Sequence, residues 1–154
     1  MSRLIAHLAV HLLGLFAFAL PALASDAPDD DGFAPMFAQF KAAVLADKID
    51  AVIQLSTLPL RSYELGAVIA KATKSKEPVS PEVTAADLKR HWRRLFPPAV
   101  RHNLRLRQPL YHADTDLGPW YSVGHSGGKT WSAWFTFFKT DAGWRWTGTD
   151  NVSQ

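Results

Sequence analysis

The sequence predicts an α+β domain in which N-terminal helices pack on an antiparallel β-sheet. Residues 33–106 carry apolar side chains mainly at helical spacing, whereas the apolar segments after Arg107 are aromatic, β-branched and alternate with period two. Turns that contain glycine separate the later segments, as expected for antiparallel hairpins. Helices that precede hairpins in the chain indicate a helical layer on one sheet.

The first residues of the chain have the order of a cleavable signal peptide. Arg3 precedes an apolar run over residues 8–20, and small residues follow the helix-breaking Pro21. The run is shorter than the roughly 20 apolar residues of a membrane-spanning helix, so we expect no permanent membrane anchor. We predict a signal peptide over residues 1–24, an acidic disordered leader over 25–32 and a single α+β domain over 33–154.

The amino-acid composition limits which cellular compartment and which class of binding partner we expect. The 154 residues include 17 Lys and Arg against 14 Asp and Glu, and Arg3 is the only charged residue that cleavage would remove. The exported part is therefore only mildly basic, which argues against nucleic-acid binding. The chain has no cysteine, and a cysteine-free exported domain favours a Gram-negative periplasm over a disulfide-rich secreted class. We expect no metal site and no cofactor.

The helical part divides into four predicted helices and one ambiguous segment. Apolar spacing predicts helices over about 34–46, 51–56, 84–96 and 99–106. Thr84 and Asp87 have the spacing of a capping box at the start of the third of these helices. Residues 63–76 fit either a strand and loop or a helix.

The C-terminal part contains three predicted strands. They cover about residues 120–123, 130–140 and 144–149, with turns at the glycine pair 127–128 and at residues 141–143. The strand over 130–140 carries large apolar side chains on both faces. We therefore expect it to lie in the interior of the sheet.

Two segments resemble the nuclear-transport-factor-2-like superfamily, also called SnoaL-like. They are residues 37–60 at the start of the domain, and residues 137–146, where a strand, a tight glycine turn and a tryptophan-containing strand follow one another. The resemblance implies a cone-shaped fold, with helices inside a curved antiparallel sheet. That superfamily includes isomerases, dehydratases, transport factors and proteins with no known activity, so the resemblance implies no single function.

Residues 111–116 are the first candidate for chemistry. If this segment is extended, His112, Asp114 and Asp116 lie on one face, where an imidazole and two carboxylates could transfer protons. The alternatives are a solvated strand face and a loop in which the aspartates form turns. Residues 123–130 end like a phosphate-binding loop, but Val123 stands where that motif requires glycine, and the following segment is predicted to be a strand.

A second candidate is a cluster of basic residues on the third and fourth predicted helices. Its proposed partner-binding residues are Lys89, Arg90, Arg93, Arg94 and Arg101, and Arg105 and Arg107 extend the cluster. At helical spacing the basic residues of the third helix lie opposite Leu88, Trp92 and Leu95. Either the helix face is simply solvated, or it contacts anionic lipid, a cell-wall polymer or an acidic partner protein.

A third candidate is the aromatic interior. Five of the six tryptophans lie in the last third of the chain, where they could pack the core or line a pocket for a small apolar ligand. The candidate ligand-binding residues are Trp120, Trp131, Trp134, Phe135 and Trp146.

These candidates lead to three functional hypotheses. The first is a non-catalytic periplasmic binding or interaction protein with an aromatic interior. The second is a cone-pocket isomerase, dehydratase or hydrolase that uses His112 with Asp114 or Asp116. The third is an inhibitor or immunity-type protein that docks a periplasmic partner through the basic helical face.

Overall fold

The computed structural model describes residues 31–112, 116, 118–126 and 132–149, with the backbone alone at 125, 126 and 132–134. The predicted signal peptide and most of the predicted leader lie outside the described residues. The helices are α1 (Phe33–Leu45), α2 (Ile49–Gln54), α3 (Tyr63–Thr73), α4 (Ala85–Leu95) and α5 (Pro98–Leu106). The strands are β1 (Ser56–Arg61), β2 (Glu82–Val83), β3 (Leu110–His112), β4 (Trp120–Ser126), β5 (Ser132–Thr140) and β6 (Gly143–Thr149).

The strands form one curved sheet in the order β2-β1-β6-β5-β4-β3. The hairpins β4–β5 and β5–β6 are antiparallel, and β1 joins β6 as a parallel neighbour. The predicted α+β class is confirmed, and the sheet within it is mixed. β5 lies between β4 and β6, which confirms that this strand is in the interior of the sheet.

Two segments of the helical half take a form that the sequence pattern did not specify. Residues 56–61 form β1, whereas the predicted second helix ended at Ser56 and no element was predicted for residues 57–61. The ambiguous segment 63–76 forms α3, which begins where the backbone N–H of Leu65 donates to the Ser62 hydroxyl at 3.1 Å. The Ser62 hydroxyl also contacts the hydroxyl of Thr149, a fully buried residue of β6. This contact joins the start of α3 to the sheet.

The core lies between the helices and one face of the sheet, and aromatic rings fill much of it. Phe40 of α1 is fully buried, with ring centroids 5.1 Å from Phe137, 5.3 Å from Trp146 and 5.9 Å from Phe135. Phe96, which follows α4, stacks on Phe135 at 5.8 Å. Mostly edge-to-face packing of this kind stabilises a core beyond the area that it buries.

Asp31 connects the chain before α1 to the sheet. Its carboxylate accepts hydrogen bonds from the Phe33 backbone N–H at 2.8 Å and from the Tyr121 hydroxyl at 3.0 Å. Its carbonyl accepts from Trp144 Nε1 at 2.9 Å. Burial and the hydrogen bond to Asp31 raise the pKa of Tyr121, so this phenol stays protonated as a donor. The described fold therefore begins at Asp31, within the segment that we assigned to the leader.

Candidate functional site

The basic residues predicted from the sequence lie together on one surface, which we call the cationic face. It comprises Lys89, Arg90, Arg93 and Arg94 of α4, Arg101 and Arg105 of α5, and Arg107 directly after α5. All of them are exposed except Arg101, which is half-buried.

The amphipathic pattern of α4 explains why these side chains reach solvent. Leu88, Trp92 and Leu95 are buried on the opposite side of the helix. The capping box at Thr84 and Asp87 forms as predicted: the Asp87 N–H donates to the Thr84 hydroxyl at 3.2 Å, and the Thr84 N–H donates to the Asp87 carboxylate at 3.0 Å. This box fixes the residue at which α4 begins.

The carboxylate of Asp47 lies between α4 and α5 within the cationic face. Trp92 Nε1 donates to Asp47 Oδ1 at 2.5 Å, and the Arg101 guanidinium donates to the same oxygen. These hydrogen bonds, first from Arg101 and then from Trp92, lower the pKa of Asp47 to about 2. Arg101 Nε also donates to the Phe96 carbonyl at 2.8 Å. Arg101 is thus held on two sides, and Asp47 stays ionised at neutral pH.

Asp47 is the residue of this site that sequence reasoning missed. The sequence indicated only that residues 47–50 interrupt the helical pattern, whereas Trp92 and Arg101 lie 45 and 54 residues further along the chain. Asp47 has a positive φ of 56°, a conformation in which aspartate is enriched. A preference of aspartate for this conformation indicates a turn, but it gives no information about contacts with α4 or α5.

Two open depressions adjoin on the cationic face. One, of about 400 Å³, is lined mainly by residues 89–94 together with Asp47 and Ile49. The other, of about 650 Å³, is lined by Asp47, Arg93, Phe96, Pro98, Arg101, His102 and Arg105. Asp47 and Arg93 line both depressions, so the two form a continuous surface between α4 and α5.

Little of the positive charge on this surface is neutralised by ion pairs. Lys89 forms a 2.8 Å salt bridge with Asp50, and both side chains are exposed, so the pair contributes little to stability. Arg101 is paired with Asp47. Over the described ranges no ion pair engages the remaining members of the cationic face: Arg90, Arg93, Arg94, Arg105 and Arg107.

The candidate ligand-binding aromatics lie in different environments. Phe135 and Trp146 are buried in the core, with ring centroids 5.6 Å apart. Trp120 is half-buried on β4, Trp134 is described only by its backbone in β5, and Trp131 lies outside the described residues. These aromatics line neither the two depressions of the cationic face nor a third depression beside α3. A ligand among them stays a prediction.

His112, the first candidate catalytic residue, lies on the edge strand β3. Its Nε2 is 2.8 Å from the hydroxyl of buried Ser122, and its ring stacks on Trp120 at 3.8 Å. Burial lowers the pKa of His112, so the imidazole is neutral at pH 7. Asp116 is exposed, and Asp114 lies outside the described residues. The proposed proton transfer between His112 and these carboxylates stays a prediction.

A third depression, of about 400 Å³, lies between α3 and the chain leading into α4. Its acidic lining residues are Glu77, Glu82 and Asp87. Within the part of the chain that the structure describes, no group of three or more His, Asp or Glu side chains could hold a metal ion.

No family model matches the chain, and no curated protein or solved structure is significantly similar to it. Among the described residues, no helix is both long enough and apolar enough to cross a membrane.

Proposed function

We propose that this chain is an exported, non-catalytic binding protein whose cationic face holds an anionic partner. One observation carries the proposal: five exposed basic side chains line two adjoining depressions, and ion pairs among the described residues engage only one of the five, Lys89. A surface of one sign attracts groups of the opposite sign and accelerates their association. Carboxylates and phosphates are the anionic groups that arginine binds best.

The contacts of Arg101 and Asp47 support a binding surface that is partly preorganised. Arg101 is fixed by Asp47 and by the Phe96 carbonyl before any partner arrives. The ordered Arg101–Asp47 pair fixes the surface from which the exposed arginines project, and a fixed surface loses less conformational entropy on binding than a mobile one. The exposed arginines around it would then supply the adjustable contacts.

The packed interior favours this surface over an internal ligand site. Fully buried rings from α1, β5 and β6 contact one another directly. A ligand at Phe135 or Trp146 would have to displace core side chains, and that would cost stability.

We also propose that the chain is a member of the nuclear-transport-factor-2-like superfamily. Helices that pack on one face of a curved sheet support this assignment, as does the hairpin β5–β6 with its turn before Trp144. Membership would not specify a function, because that superfamily has many functions. The proposed function therefore rests on the cationic face.

Binding to poly-glutamate at increasing salt tests the proposed function. Replacing both Arg93 and Arg94 by Glu should weaken binding by about tenfold or more, since exposed charge pairs contribute about 0.2–1 kcal/mol each and like charges oppose binding by similar amounts. The matched control replaces Lys71 and Lys76, exposed residues away from this face, by Glu and changes the net charge equally. Equal losses in the two variants, or binding that does not weaken with salt, would refute a defined cationic site.

Export has a separate test. The mass of the protein recovered from the periplasm of an expressing bacterium should correspond to a chain that begins near Ser25. A mass that includes residues 1–24 would contradict cleavage, and recovery of the protein from the cytoplasmic fraction alone would contradict our assignment of the compartment.

A further inference from the structure

The segment that joins α5 to β3, which we call the α5–β3 corner, combines exposed apolar and basic side chains. Leu106, the last residue of α5, is 64% exposed, and Leu110, the first residue of β3, is 52% exposed. Arg105 and Arg107 flank Leu106 and are exposed as well. Exposed leucines remain hydrated at a free-energy cost that contact with an apolar phase would remove.

The α5–β3 corner is continuous with the cationic face and lies at the periphery of the fold. Arg105 lines the larger depression on that face. β3 is the last strand at one edge of the sheet, so the corner joins α5 to an edge of the domain. The other large hydrophobic side chains exposed within the described ranges, Tyr63 and Val79, lie outside the cationic face.

The arrangement suits a membrane surface better than a specific protein partner. Protein interfaces usually centre on a few desolvated anchors in well-packed pockets. Here the half-buried cation, Arg101, is already bound by Asp47 and the Phe96 carbonyl. Binding to an anionic bilayer requires only exposed cations at the level of the lipid phosphates and a few apolar side chains that enter the boundary of the acyl chains.

We propose that the anionic partner is the surface of a phospholipid bilayer and that the α5–β3 corner is the part that inserts. Arg105, Arg107 and the exposed arginines of α4 contact lipid phosphates, while Leu106 and Leu110 enter the interface. The inference rests on the proposed function, because it uses the same cationic face. It adds a requirement for apolar contact that binding to a soluble anion does not have.

Co-sedimentation with vesicles tests the inference. The vesicles contain either phosphatidylcholine alone or phosphatidylcholine with about a third phosphatidylglycerol, in about 0.1 M salt, where the Debye length is about 10 Å. The protein is purified as the cell produces it, and its mass establishes the N-terminus that all variants share. We expect preferential binding to the vesicles that contain phosphatidylglycerol.

Two double variants separate the apolar and electrostatic contributions. Replacing Leu106 and Leu110 by Ser should weaken vesicle binding about 25-fold or more, since burying each leucine contributes on the order of 1 kcal/mol or more, which is roughly fivefold. Its control replaces Tyr63 and Val79 by Ser and should bind like the unaltered protein. Replacing Arg105 and Arg107 by Gln should weaken binding about 25-fold, because each cation near an anionic membrane contributes about 1 kcal/mol, or roughly fivefold.

Binding to poly-glutamate distinguishes failure of this inference from failure of the proposed function. The leucine variant should bind poly-glutamate like the unaltered protein, and circular dichroism confirms that it is folded. Unchanged vesicle binding by the leucine variant, or equal binding to both vesicle types, would overturn the membrane inference. Retained, salt-sensitive binding to poly-glutamate would then leave the proposed function in place, whereas loss of both would remove it too.

Discussion

Replacement of Phe40 by Ala measures how strongly the aromatic core holds α1 to the sheet. Phe40 is 0% exposed, and its ring contacts three aromatic rings of β5 and β6. Truncation removes the buried ring and leaves a cavity that these rigid neighbours fill only in part. We expect the substitution to leave the folded topology unchanged and to lower its stability.

The expected loss is about 3–5 kcal/mol, the range for Phe→Ala in protein cores. The upper half of the range is favoured, because each edge-to-face pair adds about 0.5–1.5 kcal/mol beyond burial. Total stabilities of small domains are about 5–15 kcal/mol, so the variant would lose a large fraction of its free energy of unfolding.

Equilibrium unfolding in urea, followed by tryptophan fluorescence, measures this loss. With a slope of about 1–3 kcal/mol per molar urea, the midpoint should fall by about 1–5 M. Gln39→Ala is the matched control, because Gln39 is an exposed neighbour on the same helix, and it should change stability by less than about 0.5 kcal/mol. A loss below about 1 kcal/mol for Phe40→Ala, with an unchanged slope, would refute the packed interior.

Three further predictions concern the backbone, a helix cap and pH. Gly148→Ala should lower the free energy of unfolding by about 2 kcal/mol or more, measured in a thermal melt. Gly148 has φ +148°, and a Cβ there would lie 2.0 Å from the Arg61 carbonyl oxygen. An unchanged melting temperature would contradict this close approach. Thr84→Ala should cost about 1 kcal/mol in urea unfolding through loss of the α4 cap, and no loss would show that the capping box is dispensable. Burial lowers the pKa of His112 below 6.5, so His112 takes up a proton in the unfolded chain at a higher pH than in the folded protein. The contribution of the neutral imidazole to the free energy of unfolding is therefore full above pH 6.5 and declines as the pH falls below it. The urea midpoint should therefore fall between pH 7.5 and pH 5.5 by more in the unaltered protein than in His112→Gln, and equal declines would contradict the shift.

The sequence alone predicted the elements whose signals are local. Apolar spacing over residues 33–45 defines α1, and the reciprocal hydrogen bonds of Thr84 and Asp87 define the start of α4. The tight turn before β6 predicted the C-terminal hairpin, and large apolar residues on both faces of β5 predicted its interior position in the sheet. These signals lie in residues that are neighbours along the chain, so they can be read without knowledge of contacts between distant segments.

The basic side of the candidate site was predictable for the same reason. The spacing of Lys89, Arg90, Arg93 and Arg94 places them opposite the buried face of α4, and the structure agrees. The spacing could not reveal that Asp47 joins this surface. Nor could it reveal that Leu106 and Leu110 remain uncovered, because burial depends on what the rest of the chain places nearby.

Tertiary structure decided the features that depend on contacts between distant segments. Residues 56–61 form a strand because β6 offers a parallel edge to them, and α3 begins where Ser62 meets Thr149. Phe135 and Trp146 became core side chains because α1 covers their face of the sheet. An aromatic side chain on a strand has the same sequence signature in a filled core and beside a cavity, and only the packing of other elements against it distinguishes the two.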